Sequence, residues 1–236
     1  MAGKAIYIGK NAGSDGNTLL VDGSVTAANI HVGATSGTTG NTLQVGATGK
    51  VNSAINVNSG GRLLLTGSST ATDRIGDAAT ITLNSGATLT TGGLSEGSSD
   101  LGSPVGLGTL TLAGTATIDF GAGANGSTLL AMAGAVTSPG TISILNWSGT
   151  ALGDGGGTGN DRLLFVNNPG FTTGQLAQFQ FSNDSGAAFG PGAAQIGYNG
   201  FFELVPVPEP GSLGLLGLGV TALLLRRPSR LARLLS

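Results

Sequence analysis

Side chains able to do chemistry are few in this chain, and their spacing decides what they could do. The run Gly156-Gly157-Thr158-Gly159-Asn160-Asp161-Arg162-Leu163 fits the calcium-binding nonapeptide Gly-Gly-x-Gly-x-Asp-x-Leu-x. Such sites enclose the ion with oxygens from consecutive turns, and this chain holds one copy. The reading taken is a glycine loop between two strands with Asp161 capping the turn; no metal site is assigned. Asp73-Arg74 with Asp77, and Asp15 with Asp22, come nearest to acid clusters. A polysaccharide-cleaving site needs acids paired at close range, and turn positions account for both groups. His31 is the sole histidine, and Tyr7 takes its place one repeat earlier, so it reads as an outward-facing surface residue. Cysteine is absent, which removes disulfides, thiol nucleophiles and Cys-based zinc sites. No catalytic residue or cofactor site is assigned, and the chain reads as a non-enzyme. The remaining constellation, Pro208-Glu209-Pro210, offers recognition instead: its prolines hold the backbone extended, ready for capture in a groove.

The residues after that triplet give it a context. Gly211 to Leu225 is an uncharged run with seven leucines, and Arg226, Arg227, Arg230 and Arg233 come after it. As a helix the run would be about 22 Å long, short of the roughly 30 Å of bilayer hydrocarbon, yet it is the one candidate membrane span. Basic residues beyond a span stay on the cytoplasmic side, so Arg226 and Arg227 act as a cytoplasmic stop and residues 1–205 lie on the opposite face. Charge is divided accordingly: −5 over residues 1–205 and +3 over the remainder. A mildly acidic body argues against a nucleic-acid partner.

The order Val207-Pro208-Glu209-Pro210, leucine-rich run, Arg226-Arg227 resembles the PEP-CTERM sorting signal of Gram-negative bacteria. The resemblance implies recognition of Pro208, Glu209 and Pro210 by an exosortase, a membrane-embedded cysteine transpeptidase. It further implies cleavage near the motif and delivery to the cell surface or an exopolysaccharide matrix, as in biofilms. It covers about an eighth of the chain.

The elements that carry this tail are set by composition and repetition. Glycine supplies 44 of 236 residues, charged residues only 9%, and mean hydropathy is +0.25. Disordered chains pair low hydrophobicity with high charge, so this body should fold. Ile6-Tyr-Ile8-Gly9, Gly16-Asn17-Thr18-Leu19 and Val21 recur as Ile30-His-Val32-Gly33, Gly40-Asn41-Thr42-Leu43 and Val45, every position shifted by 24. Ile55-Asn-Val57-Asn58-Ser59-Gly60 with Leu63 recurs as Ile81-Thr-Leu83-Asn84-Ser85-Gly86 with Leu89, here shifted by 26. Gly108 to Leu112 and Thr141 to Leu145 read as weaker echoes of the same unit. Alternating runs of three to five residues between glycine turns are half-buried strands, and a period of this size marks a solenoid. The repeats resemble those of exported adhesins and autotransporter passengers. Asn17 with Asn41, and Asn58 with Asn84, fall where amides on successive rungs could stack.

The fold expected is all-β: a β-solenoid of about 24–26-residue repeats, similar to a parallel β-helix, with a single C-terminal transmembrane helix. Residues 1–140 form the array, and residues 141–205, rich in Phe and holding Trp147, close it with partly antiparallel strands. Residues 206–236 form the sorting signal, with the motif at 207–210, the hydrophobic segment at 211–225 and the basic tail at 226–236. Met1 to Lys10 has no apolar core of a signal peptide, and the repeat is already running at Ile6. The start of the chain is therefore expected to be missing from this sequence. The function expected is that of an exported, non-enzymatic surface or matrix protein. It would be held first in the inner membrane, body periplasmic, through lipid contact at 211–225; exopolysaccharide is the further partner implied. The alternative is a membrane-anchored carbohydrate-binding or carbohydrate-cleaving β-helix.

Overall fold

Short aliphatic–polar alternations make strands whose inward face cannot be covered by their own coil, so each coil must stack on the next. A computed structural model shows this arrangement and describes residues 3–33, 37–67, 73–97, 107–121, 128–149 and 161–207. The first strands are β1 (Ile6–Ile8), β2 (Thr18–Val21), β3 (Ser24–Val25), β4 (Asn29–Val32) and β5 (Asn41–Val45). Next come β6 (Lys50–Val51), β7 (Ala54–Val57), β8 (Gly61–Leu65), β9 (Ile81–Asn84) and β10 (Ala87–Thr90). After them come β11 (Leu107–Ala113), β12 (Ala116–Asp119), β13 (Leu129–Thr137), β14 (Ile142–Leu145) and β15 (Arg162–Phe165), of which β11 and β13 are the long ones. A short helix α1 (Thr173–Leu176) precedes β16 (Phe179–Ser182), β17 (Ala188–Pro191), β18 (Ala193–Tyr198) and β19 (Phe201–Pro206).

Each coil gives one strand to each of two long parallel faces. The first runs β1-β4-β7-β9-β11-β13-β15 and the second β2-β5-β8-β10-β12-β14-β16. A short third side, β3 on β6, is continued by a bridge from Val51 to Ile75. Inward columns are aliphatic and fully buried: Ile30, Ile55, Ile81 and Leu110 on one face, Leu43, Leu63, Leu89 and Ile118 on the other. Each contributes roughly 1.5–3 kcal/mol by leaving water, and only because a neighbouring coil covers it.

The repeats set the register. On the first face Ile6 pairs with Ile30, Ile30 with Ile55 and Ile55 with Ile81, so the step lengthens from 24 through 25 to 26. Elsewhere the period is looser. Leu43 pairs with Leu63 at a step of 20, because the turn between β7 and β8 is tighter than that between β4 and β5. Leu89 pairs with Ile118 and Ile81 with Leu110, steps of 29, the extra length falling between β10 and β11. Of the two echoes, Gly108 to Leu112 continues the first face, whereas Ile142–Leu145 lies on the second, beside Ala116–Asp119. Alternation alone does not report which face a strand joins.

Turns stack as well as strands. The Asn17 side-chain amide donates to Asn41 Oδ1 at 2.9 Å, and Asn84 Nδ2 donates to Asn58 Oδ1 at 3.1 Å. Both asparagine pairs therefore form rungs of an amide ladder. Gly60, at φ +70°, donates to the Gly86 carbonyl and accepts from the Gly40 amide, and a Cβ there would sit 2.4 Å from the Thr38 carbonyl oxygen.

The far end closes differently. Antiparallel strands join it, β17 on β16, and β19 between β15 and β18. Beneath them Trp147 packs edge-on against Phe120 at 5.2 Å and Phe181 at 5.1 Å, and Phe171 bridges Phe165 and Phe179. Among the described residues no helix is long and apolar enough to cross a membrane, and the span expected over 211–225 lies outside them.

The turn stack yields a prediction. Gly16 has positive φ but open space around it, so Gly16→Ala should cost about 1 kcal/mol from backbone strain alone. Gly60→Ala adds collision with the neighbouring turn and should cost at least about 2 kcal/mol. Urea denaturation of both variants, monitored by fluorescence of Trp147, the one tryptophan in the chain, compares them.

Candidate sorting signal and the strand that leads into it

Strand β19 ends at Pro206, one residue short of the recognition triplet Pro208-Glu209-Pro210, so the strand leading in bears on the site. Strand β19 is hydrogen-bonded along both edges. Leu163, Leu164 and Phe165 pair with Leu204, Glu203 and Phe202 on one side. Ala193 to Tyr198 pair with Pro206 to Phe201 on the other. Both faces are covered too. Leu204 joins the main core, while Phe201 packs with Ala131 and Leu164 in a separate small cluster.

A buried ion pair pins this strand. Arg162 Nη1 donates to Glu203 Oε1 at 3.0 Å and Oε2 at 2.9 Å, and its guanidinium lies 3.9 Å over the Tyr198 ring. Glu203 side-chain exposure is 3% and that of Arg162 9%. Each charge is held inside by the other, with the ring face adding cation–π attraction. Past Pro206 one further bond forms, from the Val207 amide to the Gly192 carbonyl at 3.4 Å. Pro208 has no amide hydrogen to extend the ladder. Pro208, Glu209, Pro210, Arg226 and Arg227 lie outside the described residues.

The other candidate groups are engaged in holding coils together. Asp161 is buried; its Oδ1 accepts from the Thr128 amide and its Oδ2 from the Ser148 amide, both at 3.0 Å. Burial pushes its carboxyl above the usual range, against the pull of those bonds. Asp161 thus caps backbone amides from two segments, and Gly156 to Asn160 of the nonapeptide lie outside the described residues. The Asp73-Arg74-Asp77 group is split. Asp73 turns outward to Lys50, Arg74 turns inward to Glu96 at 3.7 Å, and Asp77 lines a groove of about 360 Å³ with Lys50 and Asn52. Glu96 also accepts from the Ile75 amide at 2.8 Å, and burial drives its carboxyl up to about 7 despite the Ile75 and Arg74 amides and the Arg74 charge. Asp15 accepts from the Thr39 amide one coil on. His31 is half-buried, stacked 4.8 Å from the outward Tyr7 ring, with Lys10 over that ring.

Sequence reasoning missed both buried ion pairs. Arg74 and Glu96, like Arg162 and Glu203, stand well apart along the chain, so only the finished coil shows them meeting. An acid inside a strand otherwise read as apolar, such as Glu203 in Phe-Phe-Glu-Leu-Val, was the available signal.

Residues 206–228 match the family model of the PEP-CTERM protein-sorting motif. The chain carries a PEP-CTERM sorting signal. That signal directs export to the cell envelope or surface and is read by an exosortase. No curated protein and no solved structure matches the chain. The PEP-CTERM match takes in Pro206, so the signal begins inside the last residue of β19.

The ion pair yields a second prediction. Glu203→Ala leaves Arg162 charged and buried without its carboxylate, which should cost roughly 3–5 kcal/mol. The urea midpoint reported by Trp147 should fall accordingly; an unmoved midpoint would mean that the pair does not secure β19.

Proposed function

We propose that this chain is a non-enzymatic structural component of the cell surface or extracellular matrix, exported as a membrane-held precursor. In this reading residues 1–140 are the repetitive array and 141–205 its closing region. Residues 211–225 span the inner membrane as a helix, with Arg226 and Arg227 on the cytoplasmic side. The body then lies in the periplasm until exosortase acts beside Pro208-Glu209-Pro210 and passes it to the surface, where exopolysaccharide is the surrounding partner. One observation supports the reading above the others: the matched signal continues without a linker from the last buried strand of a closed coil. The coil's buried acids support a structural role, since Asp161, Glu96 and Glu203 hold amides and arginines of neighbouring segments. Its outward columns run through Thr42, Arg62 and Thr88, or through Asn56 and Thr82, side chains suited to a hydrated matrix.

Glu209→Ala tests the reading in cells that contain an exosortase. The wild-type chain should shorten to a mature form while the variant accumulates at precursor size in the membrane fraction. Equal processing of both would remove the support for a sorting role.

A further inference from the structure

We infer that processing of the signal waits on the release of β19 from its sheet, so that the stability of the closing region times when the body leaves the membrane. The inference rests on the reading that exosortase acts at Pro208-Glu209-Pro210. Reach is the first constraint. Three residues separate Val207 from Gly211, and an extended chain advances at most about 3.6 Å per residue. The folded end of the coil is therefore within about 14 Å of the first residue of the hydrophobic segment.

Access is tighter still. An enzyme that holds an extended peptide does so through backbone hydrogen bonds along the peptide's edges and pockets for alternate side chains. On the upstream side of the triplet one edge is taken as far as Pro206 and the other from Leu204 inward. Pro206 pairs with Ala193, Val205 with Ala194 and Leu204 with both Leu163 and Gln195. The side chains are taken as well, since Leu204 and Val205 are buried. A groove that reads beyond Pro208 toward the body must displace these partners first. Fraying from the Pro206 end is the natural route, because the Val207–Gly192 bond is long and Arg162–Glu203 lies further in. Local opening of this kind runs below the cost of global unfolding.

The chain has no cysteine, so one introduced pair gives an unambiguous staple. Ala194 and Val205 are direct cross-strand partners, at a separation within reach of a disulfide. Ala194→Cys with Val205→Cys should slow conversion of the full-length precursor at least about tenfold under oxidising conditions. A reductant added during a pulse-chase should restore the wild-type rate. Glu203→Gln, which loosens the same strand, should be processed faster than wild type. Stapled chain matured at the wild-type rate would overturn the inference. Should the staple stay slow after reduction, Glu203→Gln decides: faster maturation supports release of β19 and an unchanged rate refutes it. Equal maturation of the wild-type and Glu209→Ala chains would instead sink the sorting reading, and this inference with it.

Discussion

The structure depends on one requirement: every coil buries its aliphatic residues against the next, so no coil is stable until something covers its face. Ile30, Ile55 and Ile81 are columns through successive coils, not members of a core that any single coil could form. Amide ladders and stacked glycine turns repeat the same dependence in hydrogen bonds. Stability in such an array is a sum of neighbour terms, and the terminal coil has to be met by a different kind of surface. Here Trp147, Phe165, Phe179 and Phe181 fill that end, and antiparallel strands cover it. The strand that completes the closure is also the strand that leads into the sorting signal.

Where side chains repeated, their spacing already carried the register. Ile6 and Ile30, Leu19 and Leu43, Ile55 and Ile81, and Leu63 and Leu89 pair at the spacings their motifs share. Inward and outward positions came from alternation, and the stacked asparagines from their place in the turn. The step of 20 from Leu43 to Leu63 was hidden, because it joins two differently spaced motif families through a short turn. Which face Thr141 to Leu145 would join was not legible, since an Ile-Ser-Ile alternation suits either. The sorting signal was legible for a different reason. It is linear, its chemistry lies in consecutive residues, and it needs no folded partner to be recognised.

The pairs that tertiary structure alone creates were not legible. Arg74 and Asp73 are adjacent in sequence, yet one turns inward to Glu96 and the other outward to Lys50. Arg162 comes directly after Asp161, which reads in sequence as a cap; Asp161 does cap two backbone amides, but nothing in sequence shows that Arg162 crosses to Glu203. Buried charges of this kind add little net stability while they are paired and cost much when separated. They suit a boundary that must be either shut or open. Two of the body's ion pairs are thus buried, one where coils join and one where the last strand docks.

Amide hydrogen exchange along β19 tests most directly whether the closed coil runs unbroken to the signal. Leu204 and Val205 are expected to exchange far more slowly than exposed turns, though sooner than Leu43 and Leu63 in the middle of the array. Exchange of β19 as fast as the exposed turn at Ala12 and Gly13, with the array still protected, would contradict the closed coil.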